Sequence, residues 1–206
     1  ATPDMVWLKD RDNTGDAGGT NWIVVYTTVD GSSDRVYVNA ANVHYDLSGT
    51  EFRADFDSSN ITLGTWNNIN ASGAHVGFCF RSIKGYSKFG KYKGNGNANG
   101  AFIYTGFKPA WVMWKRTDAS GNSWGLVDHR RNKNDTSDVG NVIDVYLSPD
   151  LNNDDSGNSD TMDFLSNGFK IRRTGNFINV DDSTYVYMAF AESPFVSSRG
   201  VPTTAR

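Results

Sequence analysis

Asp10, Asp12 and Asp16, in the stretch Asp10-Arg11-Asp12-Asn13-Thr14-Gly15-Asp16, place oxygen ligands close along the chain with a glycine for the turn. That is part of what a calcium loop needs. The twelfth position, where such a loop carries a bidentate glutamate, is Asn21. A polar hairpin loop accounts for the same residues and is the preferred reading, so no cofactor is expected, and Ca2+ at Asp10, Asp12 and Asp16 is the alternative. A second candidate is Trp66 with Asn67 and Asn68, in the turn-rich Gly64-Thr65-Trp66-Asn67-Asn68. A flat indole stacks on a pyranose face while amides take the hydroxyls, which is the chemistry of a sugar site. The other tryptophans, Trp7, Trp22, Trp111, Trp114 and Trp124, fall in apolar bursts and read as core.

The remaining reactive types form no catalytic pattern. His44, His75 and His129 lack metal-site spacing, no G-x-S-x-G elbow is present, and Cys79 sits inside an apolar burst, where core packing is expected. The acid pairs Asp154-Asp155 and Asp181-Asp182 lie in Asn/Ser/Gly loops, and the acidic run from Asp150 to Asp160 reads as a solvated surface loop. Gly94-Asn95-Gly96-Asn97-Ala98-Asn99-Gly100 lacks the Lys-Ser/Thr ending of a phosphate loop and reads as a flexible hairpin tip. A non-enzyme is expected.

The elements that must position these residues are strands. Short bursts with alternation, from Met5-Val6-Trp7-Leu8 through Val76 to Phe80 and Trp111 to Trp114 up to Tyr185 to Phe190, are rich in Val, Ile, Tyr, Phe and Trp. Turn clusters such as Asp30-Gly31-Ser32-Ser33 and Ser166-Asn167-Gly168 separate them. No stretch of a dozen residues has helical periodicity. Length and charge bound the rest. The 206 residues can bury a sizeable core, and 38% of them are hydrophobic. Twenty basic against 23 acidic residues leave no basic surface for nucleic acid, and no apolar run is long enough for membrane insertion. The single cysteine forbids an internal disulfide. Without an initiator Met or a signal-peptide pattern, the chain reads as a processed or excised piece.

The chain repeats itself. Pro3 to Lys9 aligns with Pro109 to Lys115, Asn21 to Val25 with Ser123 to Val127, and Val36-Tyr37-Val38 with Val145-Tyr146-Leu147. Phe56, Ile61 and Leu63 align with Phe164, Phe169 and Ile171, and Asn70 with Asn179. His75 to Phe80 aligns with Tyr185 to Phe190, and the offset stays between 102 and 110 throughout. The expected fold is therefore all-β, with tandem duplicated antiparallel β-sandwich units of jelly-roll-like type. The expected boundaries are a first repeat over 1–83, a second over 84–195 and a tail over 196–206. Residues 85 to 107 read as a hairpin opening the second repeat, and nothing equivalent precedes Thr2. The first repeat is thus expected to lack its opening strands, leaving an edge for upstream chain or a neighbouring subunit to pair.

Several of these segments resemble a repeated domain in tail and tail-fibre proteins of marine tailed bacteriophages. They are Gly85 to Gly90 through Asn95-Gly96 to Tyr104-Thr105-Gly106-Phe107-Lys108-Pro109, then Trp114-Lys115-Arg116-Thr117, Asp163 to Lys170, and Tyr187 to Phe195. The closing Gly200 to Arg206 resembles the C-terminus of such proteins. The resemblance is strongest over 76–206 and weaker over 2–75. It implies a virion component of the tail, assembled as a homo-oligomer, often a trimer, with other virion proteins as partners and a host surface, its glycans included, as target. It carries over no catalytic residues. A carbohydrate-binding module, and a fibre-forming or capsid-decorating protein without a receptor role, are the other readings.

Overall fold

The computed structural model describes residues 1–12, 21–27, 33–39, 41, 45–46, 54–65, 67–70, 73–130, 142–153 and 156–193. They divide into two compact units, Ala1–Arg81 and Ser82–Arg206. Both are built from antiparallel strands, and each pairs two sheets into a sandwich-like unit.

The first unit runs β1 (Met5–Asp10), β2 (Ile23–Thr27), β3 (Ser33–Tyr37), β4 (Tyr45–Asp46), β5 (Ala54–Phe56), β6 (Ile61–Leu63), a one-turn helix α1 (Asn67–Asn70) and β7 (His75–Phe80). Its larger sheet has the order β4-β3-β2-β1-β7, and β5 pairs β6 in a second, two-stranded sheet. Alternation along β1 and β2 turns Val6, Leu8, Ile23 and Val25 to one face. There they bury with Tyr37 and Ile69, and Phe56 and Leu63 close over them. Fully burying an aliphatic side chain of this size is worth about 1.5–3 kcal/mol.

The second unit runs β8 (Ser87–Lys93), β9 (Phe102–Tyr104), β10 (Pro109–Arg116), β11 (Gly125–Asp128), β12 (Val142–Tyr146), β13 (Ser156–Leu165), β14 (Gly168–Ile171) and β15 (Thr184–Ala191). Its sheets have the orders β11-β10-β15-β8 and β12-β13-β14-β9. The core between them holds Val112, Trp114 and Val127 from one sheet against Met162, Phe164, Phe169 and Ile171 from the other. The expected all-β duplicated sandwich is the fold.

The strand registers repeat as the sequence alignment requires. Val6 lies opposite Val25 and Cys79, and its counterpart Val112 lies opposite Val127 and Ala189. Phe56 faces Ile61, and Phe164 faces Phe169. Because a one-residue slip would turn every side chain to the wrong face, shared register means shared core. The copies depart from each other at β3. β3 pairs β2 in the first unit, whereas β12 pairs β13, and Leu147 just after it bridges Leu126 of β11.

Several expectations change. β8 and β9 are not a hairpin: β8 adds to β15 and β9 to β14, so residues 85–107 form a two-strand clasp across both sheets. The acidic run does not stay a loop to Asp160, because Ser156 and Gly157 already pair with Tyr146 and Val145. Trp114 and Trp124 are fully buried, but Trp7, Trp22 and Trp111 are only half-buried. Alternation places Trp111 on the face opposite Trp114, where it packs on Phe190 at 5.5 Å, as Trp7 packs on Phe80 at 5.5 Å. Cys79, expected in the core, is exposed.

Candidate functional site

The calcium candidates sit where β1 leaves its sheet. The Asp10 carboxylate is buried, its Oδ1 accepts the Asp12 N–H at 3.0 Å, and its Oδ2 stands 4.0 Å from His75 Nε2. Asp12 Oδ2 accepts the Ala74 N–H at 2.5 Å. Asp10 thus caps the turn after β1 and Asp12 ties that turn to the start of β7, each by taking a backbone donor, the ordinary work of aspartate at a turn. Asp16 lies outside the described residues. Among the described residues no group of three or more His, Cys, Asp or Glu could hold a metal ion. Trp66 also lies outside them. Asn67 and Asn68 fall in α1, and their side chains are not among those described.

The most developed polar arrangement is in the second unit. Asn179 is fully buried at the end of a helical turn. Its Oδ1 accepts the Asn95 N–H at 2.9 Å, and its Nδ2 donates to Asn97 O at 2.7 Å, to Asn95 Oδ1 at 3.1 Å and to Arg173 O at 3.1 Å. Asn95 and Asn97 continue the chain of bonds, accepting the N–H groups of Asn97 and Asn99. The Gly94–Gly100 segment, expected as a flexible tip, is therefore a latched crossing between the clasp strands. Its end glycines are required by space: a Cβ at Gly94 would lie 2.1 Å from Val180 O, and one at Gly100 would lie 2.7 Å from Ile171 Cβ.

A second buried group braces the β10–β11 connection. Lys115 is fully buried, its Nζ donates to Asn122 O at 2.7 Å, and it lies 5.8 Å from the Trp124 ring centroid. Burial pushes its ammonium down to about 8, a shift that the Asp150 carboxylate opposes. Burial in turn raises Asp150, whose Oδ1 accepts the Trp124 N–H at 3.1 Å. Tyr92 and Tyr185 stack at 4.8 Å, and their hydroxyls donate to Ile178 O and Asn176 O. Burial pushes the neighbouring Tyr187 phenol up to about 12. These groups hold loops and strands together, and each is bonded to backbone or packed on a ring.

Two aromatics open to solvent on one strand were not singled out by the sequence. Tyr104 is 65% exposed and Phe102 45%, on either side of buried Ile103 in β9. The signal was the alternation itself: with Ile103 inward, both rings stand on the outer face of an edge strand. Lys170 is the cross-strand partner of Phe102. A ring pair beside a cation can stack on a flat apolar face and accept a polar rim, as a sugar or an aromatic side chain presents. For Asn179, the signal was its alignment with Asn70.

No curated protein and no solved structure matches the chain. The family described as "Domain of unknown function (DUF7483)" matches residues 1–194, across both units, and the chain belongs to that family.

Proposed function

We propose that the chain is a non-catalytic structural domain of a virus tail or tail fibre, present in several copies and contributing to attachment at the host surface. The observation that carries this reading is the tandem sandwich whose buried polar groups, Asn179 and Lys115 above all, tie loops to strands. Such a build suits a rigid spacer. Fold alone does not fix function. The motifs that resemble phage tail repeats support the assignment, and they fall on the second unit's clasp, on the β13–β14 turn and on β15. Self-assembly, trimeric by the same resemblance, would place several copies of the exposed β9 rings side by side. Weak contacts to a surface glycan then multiply through effective concentration.

Immunogold electron microscopy of particles of the encoding virus, with antibody against residues 1–206, tests the reading. Label at the tail is expected. Particles that carry no label and whose proteins do not include this polypeptide would overturn it.

A further inference from the structure

The two units differ most at the edges that the clasp covers. In the second unit β8 pairs β15 and β9 pairs β14. In the first unit the equivalent strands are β7 and β6, and among the described residues each is paired on one side only. Asp4 N–H donates to Phe80 O and Arg11 N–H to Ala74 O, so the even-numbered residues of β7 face β1. Antiparallel geometry then turns the backbone groups of His75, Gly77 and Cys79 outward. Their counterparts Tyr185, Tyr187 and Ala189 are the residues set opposite Tyr92, Gly90 and Lys88 of the clasp.

Exposure follows the same line. Phe78 is 47% exposed where its counterpart Met188 is 2%, and Ile61 is 37% exposed where Phe169 is 0%. Gly77 is small where Tyr187 is buried, which leaves room for a larger side chain from an added strand, and Cys79 is exposed where Ala189 is buried. The latch is present too. Asn70 Nδ2 donates to Gly64 O at 2.8 Å, six residues back, as Asn179 Nδ2 does to Arg173 O at 3.1 Å. Asn179 spends the rest of its amide on the clasp's Asn95 and Asn97, whereas Asn70 is exposed.

We propose that the outer edges of β7 and β6, with Asn70 between them, are an acceptor for a two-strand clasp from a partner polypeptide. One donor strand adds antiparallel to β7 and the other to β6, and an Asn/Gly-rich crossing seats on the Asn70 amide. The chemistry is that of residues 84–108: Tyr92 and Ile103 turn into the gap between the sheets, Gly90 lies on that same face and clears Tyr187, and Phe89 and Lys91 lie on the other face. Main-chain hydrogen bonds supply affinity, and the gap beside Gly77 supplies selectivity. The inference rests on the two repeats alone and is independent of the tail reading.

The test uses the 206-residue chain and a synthetic peptide of residues 84–108. Cys79 is the single cysteine, so a maleimide reports on this edge alone. In dilute chain alone Cys79 is expected to label at the rate of an open thiol. Saturating peptide is expected to slow labelling at least about tenfold with 1:1 stoichiometry, a change of about 1.4 kcal/mol or more in protection. Asn70→Ala is expected to weaken peptide binding about tenfold while leaving the far-ultraviolet spectrum and the peptide-free labelling rate unchanged. Peptide that leaves the rate unchanged would overturn the proposal. So would a thiol already protected in the chain alone, since a second copy or the chain itself would then cover the edge.

Discussion

A Gly125→Ile variant is expected to lose about 3 kcal/mol or more of unfolding free energy, and adding Trp114→Leu to it is expected to restore most of the loss. Gly125 lies opposite Trp114 in the β10–β11 ladder, and a Cβ there would stand 2.1 Å from Trp114 Cζ2. Nothing in a close-packed core can yield that much without displacing the indole, so the single change overpacks the site. The first unit solves the same place differently, with Leu8 opposite Ile23. One copy uses a large and an absent side chain, the other two of middle size. Trp114→Leu alone opens a cavity and is expected to cost about 2–4 kcal/mol. The double variant recreates the Leu–Ile pair, so the two changes should be strongly non-additive. Recovery stops about 1 kcal/mol short, because Trp114 Nε1 donates to Phe177 O at 2.9 Å and leucine cannot. Urea unfolding of the four proteins gives the cycle. Additive losses would mean that the two positions do not share one volume.

Asn179→Ala is expected to be nearly as severe, at about 3–4 kcal/mol, whereas Asn70→Ala is expected to cost about 1 kcal/mol or less. Asn179 is fully buried and its removal strands the Asn95 N–H and the Asn97 and Arg173 carbonyls. Each buried polar group left without its partner costs about 1–3 kcal/mol, moderated where water can enter. Asn70 makes one such bond, at an exposed position. Urea unfolding again measures both, and equal losses would remove the distinction between a latched and an empty crossing.

Much of the fold was legible because strand alternation and repetition are both carried by residue type. Trp114 matched Leu8, and Ile178 sits beside Asn179 as Ile69 sits beside Asn70; these four apolar residues bury, as does Phe164, and its match Phe56 packs half-buried on the first core. What escaped depended on contacts that no local pattern encodes. Trp111 and Trp7 have the composition of core residues, but their parity puts them on the outer faces of their sheets. Cys79 has a core residue's neighbours in sequence and lies opposite Val6 in space, yet it is exposed, because no described strand pairs the outer edge of β7. The clasp looked like a hairpin because its two strands flank a Gly/Asn loop. That loop instead crosses between sheets, and only Asn179, more than eighty residues away, explains why. The site candidates were less legible still: of Asp10, Asp12 and Asp16, the first two are placed at a turn where backbone N–H groups take their oxygens.

The central claim is that the two units share one architecture and that, among the described residues, the second has a closed edge where the first has an open one. Native-state hydrogen exchange on dilute chain measures that difference residue by residue. The amides of Gly77 and Cys79 should exchange within the fastest class, while those of Tyr187 and Ala189, in the same register of the second copy, should exchange only with unfolding of their unit. Equal protection of the two pairs would contradict the account.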